Sequence, residues 1–126
     1  MIKKYGLEDS INMYGWVYDK SKFLNTIDVL CQPSLWEAFG LVFCEAAYFK
    51  IPAIAKKVEG IPEVVLDNKT GLLYDDGAEF LMQKMLFLIN NSDIIKDLGN
   101  CAYEHVTTNF TIENMTSEYK KYYFRK

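Results

Sequence analysis

One histidine, three prolines and three cysteines are all that this 126-residue chain holds of the residue types that build many metal centres, rigid turns and disulfide frameworks. The cysteines, Cys31, Cys44 and Cys101, are odd in number, lack metal-ligand spacing, and two of them lie in apolar runs. That usage predicts reduced thiols in a cytoplasmic protein and argues against a structural zinc site. No apolar stretch approaches the ~20 residues of a bilayer-spanning helix. Met1 to Ser10 is polar and mixed in charge, which is unlike a secretory leader. A net charge of -3 leaves no basic footprint for nucleic acid. Repeats, low-complexity tracts and linker-like composition are missing too, so residues 1–126 read as one compact unit. What the chain does have is 50% hydrophobic and 15% aromatic residues, enough for a real but modest core.

The stretch from Val29 to Asp67 organises the rest. Val29 to Gln32 is an apolar run of strand length, broken by Pro33 and Ser34, because proline cannot donate to a ladder and serine favours turns and caps. A loop with Trp36, Glu37 and Phe39 follows. Gly40 then opens Leu41 to Phe49, a segment free of glycine and proline. On a helix, Leu41, Glu45 and Tyr48 share one face while Val42, Cys44 and Ala46 lie on others, the pattern of a largely buried helix. Ile51 to Ala55 returns as a second strand, and Gly71 to Tyr74 supplies a third. Strands alternating with helices imply an α/β fold with a parallel sheet covered on both faces. Ligands then bind beyond the carboxyl ends of the strands.

Seven residues separate Glu37 from Glu45. A helix starting near Gly40 offers unpaired amides and partial positive charge, a cradle for phosphate, and glycine there permits close approach. Glu45 lies about 7 Å along that helix from its start, at ~1.5 Å of rise per residue, while Glu37 stays in the loop. A diphosphate flanked by two hydroxyl-rich groups, each wanting a carboxylate acceptor, describes a nucleotide-sugar.

The ordered set Pro33-Ser34, Glu37, Phe39-Gly40-Leu41, Glu45-Ala46, Pro52, Ala55, Gly60-Ile61-Pro62-Glu63-Val64-Val65 and Thr70-Gly71-Leu72-Leu73 resembles the C-terminal domain of group 1 retaining glycosyltransferases, family 4, of the GT-B fold. The resemblance runs from about Asn12 to about Glu113. It implies a Rossmann-like sheet, a nucleotide-sugar donor, and no metal or other cofactor. It makes Glu37 the catalytic candidate, in contact with the donor hexose. Glu45 would contact the ribose, and Ser34, Phe39, Gly40 and Leu41 would complete the donor site, the amides of the Phe-Gly-Leu segment facing sugar and diphosphate.

The resemblance also implies six strands, of which four are found, Ile11 to Tyr14 being the fourth. Two central strands with diphosphate-neutralising basic residues, and the acceptor domain, are not found ahead of Met1. The gap would be closed by a rearranged N-terminus or by a homodimer through the open edge of the Val29 strand. Two positions depart from the family pattern. Lys50 replaces the glycine after the helix, where a left-handed cap costs about 1 kcal/mol without one. Glu59 replaces the first glycine of a Gly-Gly-x-Pro-Glu turn, adding negative charge beside the diphosphate.

The flanks read as scaffold. Met1 to Asp9 is the tail of a helix ending near Gly6, and another helix covers Lys20 to Thr26, with Tyr18 and Asp19 bordering the site. Beyond the centre, Ala78 to Asn90 carries Leu81, Met85 and Leu88 in one stripe, widened by Met82, Phe87 and Ile89, all expected in the core. Asp93 to Thr107 buries Ile95, Leu98, Ala102 and Val106, and Thr111 caps the last helix. Glu63 caps or braces the short helix after Pro62. His105 falls on a polar face and reads as solvated, and Trp36 either stacks near the donor or packs under its loop. The basic and aromatic tail from Tyr119 to Lys126 fits packing against a neighbouring surface better than weak contact with an anionic membrane. Two other functions compete with glycosyl transfer. One is a non-catalytic nucleotide-sugar binder or interaction module. The other is a glycosidase using Glu37 and Glu45, which ranks last, because general acid and base must flank a bond and these two approach from one side.

Overall fold

The computed structural model describes residues 1–124. Three short parallel strands form the sheet, β1 (Leu30–Gln32), β2 (Ala53–Lys56) and β3 (Gly71–Tyr74), in the order β1-β2-β3. Leu30 lies opposite Ala53, and Ala53 opposite Gly71. Helix α1 (Lys20–Leu24) precedes β1, α2 (Leu41–Tyr48) connects β1 to β2, and α3 (Ile61–Val64) connects β2 to β3. Three helices close the chain, α4 (Ala78–Asn90), α5 (Asp93–Asn109) and α6 (Ile112–Tyr123).

The period of two along the strands sorts the core into faces. Ala53, Ala55 and Leu73 pack with Phe43 and Ala47 of α2, Ile61 and Val64 of α3, and Ala102 and Val106 of α5. Ile54, Leu72 and Tyr74 point the other way, against Leu88 of α4 and Leu98 from the first half of α5. A smaller cluster of Leu24, Ala46 and Ile51 ties α1 to the back of α2. Phe43 is 1% exposed, so Phe43→Ala would leave a cavity costing about 3–5 kcal/mol. Thr70 is buried with its hydroxyl accepting from the Leu66 amide at 2.8 Å, and the Asp67 carboxylate accepts from the Leu73 amide at 2.8 Å. Those two bonds satisfy the turn that feeds β3.

Several expectations are corrected. Ile11 to Tyr14 forms no strand, because the edge of β1 does not reach it and a lone strand has nothing to pair with. The sheet of described residues therefore has three strands rather than four. The N-terminal helix tail is a 3-10 turn, Lys3–Tyr5, ended by Gly6 at φ 62. Helix α2 buries Phe43, Ala46 and Ala47 while Leu41 and Tyr48 are exposed, so its Leu41-Glu45-Tyr48 face is the open one. On α4, Leu88 is buried, but Met82, Met85, Phe87 and Ile89 are exposed. The helix is apolar nearly all round, and a three-stranded sheet covers only one side of it. Thr111 does cap α6, accepting from the Asn114 amide at 3.1 Å. Arg125 and Lys126 of the basic tail lie outside the described residues. Among those described, no helix is long and apolar enough to cross a membrane.

Candidate functional site

Because all three strands run the same way, the loops after Gln32, Lys56 and Tyr74 gather at one end of the sheet. The first of them holds Ser34, Glu37, Phe39 and Gly40, and the helix it leads into carries Leu41 and Glu45. Gln32 sends its side-chain amide to the Ser34 hydroxyl at 3.1 Å, fixing the start of the loop. Glu37 and Phe39 are half-buried and Gly40 is buried, whereas Leu35, Trp36 and Leu41 face solvent. Trp36 therefore does not pack under its loop.

Gly40 sits at φ 82, ψ 62 as the N-cap residue of α2, a conformation that side chains with a Cβ rarely adopt. A Cβ there would also stand 2.5 Å from the Phe43 ring and 3.3 Å from Glu37 Cγ. Glycine thus lets the loop turn sharply into the helix and keeps the approach to its first amides open. Those of Leu41 and Val42 have no acceptor among the described residues; the ladder begins with Phe43 N–H to Gly40 O at 2.9 Å. A second loop braces the first, since the Gly60 amide donates to Glu37 O at 3.4 Å. A Cβ on Gly60 would stand 2.0 Å from Ala38 O, so only glycine allows this contact. Its neighbour Glu59 takes φ 41, where the family pattern would place glycine.

Phe39 sets its ring edge-on to Phe110 at 5.3 Å. Phe110 in turn meets His105 at 5.4 Å. His105 is half-buried rather than solvated, with Nε2 2.9 Å from the carbonyl oxygen of Glu63 and Nδ1 3.1 Å from the Asn109 side-chain amide. A carbonyl only accepts, so Nε2 carries the proton and Nδ1 accepts from Asn109. His105 is thereby a brace between α5 and α3. Glu63 stands exposed in the first turn of α3, where a negative charge suits the helix start.

Glu45 is half-buried and paired, its Oε1 accepting from Lys20 Nζ at 2.8 Å. Lys20 begins α1, and Asp19 caps that helix by accepting from the Lys22 amide at 2.9 Å. From the sequence, Tyr18 and Asp19 border the site but Lys20 reads as scaffold, because nothing local marks a contact made across 25 residues. Cys44, beside Glu45, has its thiol pushed up by burial and then by the Glu45 charge, and burial likewise raises Cys31. Both are thiols at neutral pH, unsuited to nucleophilic work. At the carboxyl end of β2, Lys56 pairs with Asp76 at 2.7 Å and draws that exposed carboxyl below its usual range. No group of three or more His, Cys, Asp or Glu that could hold a metal ion occurs among the described residues.

This arrangement can bind an anion at the start of α2 and accept hydrogen bonds from hydroxyls on either side of it. A family model described as "Glycosyl transferases group 1" matches residues 1–105. The chain belongs to the group 1 glycosyltransferases. Among members of known name, it is 29% identical over 125 residues to N-acetyl-alpha-D-glucosaminyl L-malate synthase of Bacillus anthracis, covering 98% of this chain and 33% of that protein. Sucrose-phosphate synthase from Thermosynechococcus elongatus superposes with a TM-score of 0.86 at 27% identity, over 97% of this chain and 31% of that one. Anabaena Alr3699/HepE, solved in complex with UDP and glucose, superposes with a TM-score of 0.87 at 22% identity, over 95% of this chain and 33% of that one. The fold is that of the C-terminal domain of a GT-B glycosyltransferase, Rossmann-like with helices on both faces of a parallel sheet. The chain spans between 19% and 33% of the length of the curated relatives it matches.

Proposed function

We propose that this group 1 glycosyltransferase chain is the donor-binding portion of a retaining enzyme, one that transfers a hexose from a nucleotide-sugar to a glycan or lipid-linked acceptor. The observation that carries the proposal is the start of α2, where Leu41 and Val42 present unpaired amides between the Glu37 loop and Glu45. Capture of the Anabaena fold neighbour with UDP and glucose supports the ligand class. In the proposed arrangement the diphosphate lies against the amides of Phe39 to Val42, with Ser34 at the base of the loop. Glu45 accepts from the ribose, and Glu37 accepts from hexose hydroxyls and is the catalytic candidate. As the glycosidic bond breaks, negative charge grows on the leaving diphosphate, and amides already aimed at it stabilise that charge without reorganising. The chemistry calls for no metal.

Residues 1–126 form one donor-binding unit in this account, acting in the cytoplasm. The acceptor side comes from outside these residues, so the isolated chain binds a donor without turning it over. The aromatic face of α6, with Tyr119 and Tyr122 exposed, serves packing or a weak membrane-surface contact. A second reading, a non-catalytic nucleotide-sugar binder or interaction module, draws support from the unpaired edge of β1 and the exposed apolar side chains of α4. Amide-resolved NMR during titration with UDP-glucose, GDP-mannose and ADP-glucose tests the location. The largest shifts are expected at Phe39 to Val42 and Glu45 for one of the three. Shifts centred on the open groove between α1 and α5, lined by Asn25, Asp28, Lys50 and Lys96, would contradict it.

A further inference from the structure

Lys20 is the only cation that holds a candidate donor-site carboxylate among the described residues, and its own helix gives it no reason to be where it is. A lysine in the first turn opposes the partial positive charge of a helix start, and Asp19 already caps α1. In open solvent the Lys20–Glu45 pair, with side chains 68% and 40% exposed, adds little to stability. What it does is fix a rotamer. Glu45 projects from α2 beside a groove of 380 Å³ between α1 and α2, whose other walls, Ser21, Leu24, Cys44, Tyr48 and Phe49, carry no charge. Without Lys20, no charged group there would orient the carboxylate. With it, Oε1 is occupied while Oε2 takes no hydrogen bond from the described residues.

Resting on the donor-site function proposed above, we infer that Lys20 is a positioning residue for the nucleotide. It turns Glu45 so that Oε2 is presented to the ribose 2′-hydroxyl, and it keeps that carboxylate aimed once the ligand has covered the pair. Covering matters physically. A nucleoside laid over α1 and α2 removes water from an ion pair that solvent otherwise screens, so the pair strengthens when the ligand is bound. A charged acceptor also makes the stronger hydrogen bond to a hydroxyl. Lys20 thereby contributes to recognition of ribose over deoxyribose without touching the ligand.

The test is a calorimetric double-mutant cycle on the chain with Lys20→Met, Glu45→Ala and both together. It is titrated with UDP, GDP and ADP and with their 2′-deoxy counterparts, and melting curves confirm folding. Lys20→Met is expected to weaken the preferred ribonucleotide about threefold to tenfold, the size of one lost hydrogen bond. The deoxy analogue should change by less than about twofold, since the affected bond is one it lacks. Lys20→Arg should restore most of the preference, and Lys20→Met should have no further effect on top of Glu45→Ala. Equal weakening of ribo and deoxy ligands would overturn the inference, because Lys20 would then be a general counter-charge to the diphosphate. Tighter binding by Lys20→Met would overturn it too, by making the pair a latch that ligand must displace. If the wild-type chain binds and Glu45→Ala changes nothing, Glu45 has no ribose role and the inference fails with it. If no diphosphate binds the wild-type chain at millimolar concentration, the donor-site proposal itself fails.

Discussion

Lys50 holds φ 60 in the turn that follows α2, a left-handed conformation in which the Cβ crowds the backbone. The strain of about 1 kcal/mol is offset in part by its ammonium lying 5.5 Å from the Tyr103 ring centre, a contact worth about 0.5 kcal/mol at an exposed site. Lys50→Gly is therefore expected to stabilise the fold by about 0.5 kcal/mol, raising Tm by about 2–4 °C in a thermal melt. A lower Tm would show that the ring contact outweighs the strain. The left-handed turn at Lys50 was legible, because it stands where the family pattern has glycine, and Glu59, also at such a position, takes positive φ as well. The Lys20–Glu45 pair and the bond from His105 to the Glu63 carbonyl were not, since each joins residues that only tertiary folding brings together.

At the level of elements, β2, β3, α2, α4 and α5 fall close to where periodicity and turn residues put them. Local pattern suffices when an element is amphipathic and its partners are present. It failed for Ile11 to Tyr14, whose alternation fits a strand but which has no neighbouring strand to pair with. It failed again on α4, where a broad apolar surface reads as core yet Met85 is 43% and Ile89 is 69% exposed. The exposed side chains of α4 fall on the side of the molecule where β1 offers an unpaired edge. Beside that edge, Val29, Cys31, Ile54, Met85, Leu88 and Ile89 line a groove of 260 Å³. We propose that a second copy of the isolated chain covers it, edge against edge, since a two-fold axis normal to the sheet pairs β1 with itself antiparallel and brings the two α4 flanks together. Sedimentation should show a concentration-dependent dimer that Ile89→Lys weakens by about tenfold or more, as expected for a charge set in a buried apolar contact. A monomer at all concentrations would contradict the proposal.

For the molecule as a whole, the family and the α/β class were legible in the ordered motifs from Pro33 to Leu73. The spacing from Glu37 through Gly40 to Glu45 implies a diphosphate between two hydroxyl acceptors, which is the proposed site. The structure brings that stretch to the carboxyl end of a parallel sheet, with the Gly60 turn bracing it. The completeness of the sheet was less legible, because which strands pair depends on surfaces far apart in sequence. The central claim is that a nucleotide-sugar site of group 1 glycosyltransferase type resides within these 126 residues. Calorimetric titration of the purified chain with UDP-, GDP- and ADP-sugars, beside a Glu45→Ala control, tests it most directly. The account predicts saturable binding of one donor, weakened about tenfold or more in the control through loss of a charged acceptor. Absence of binding at millimolar donor, or equal binding by the control, would contradict it.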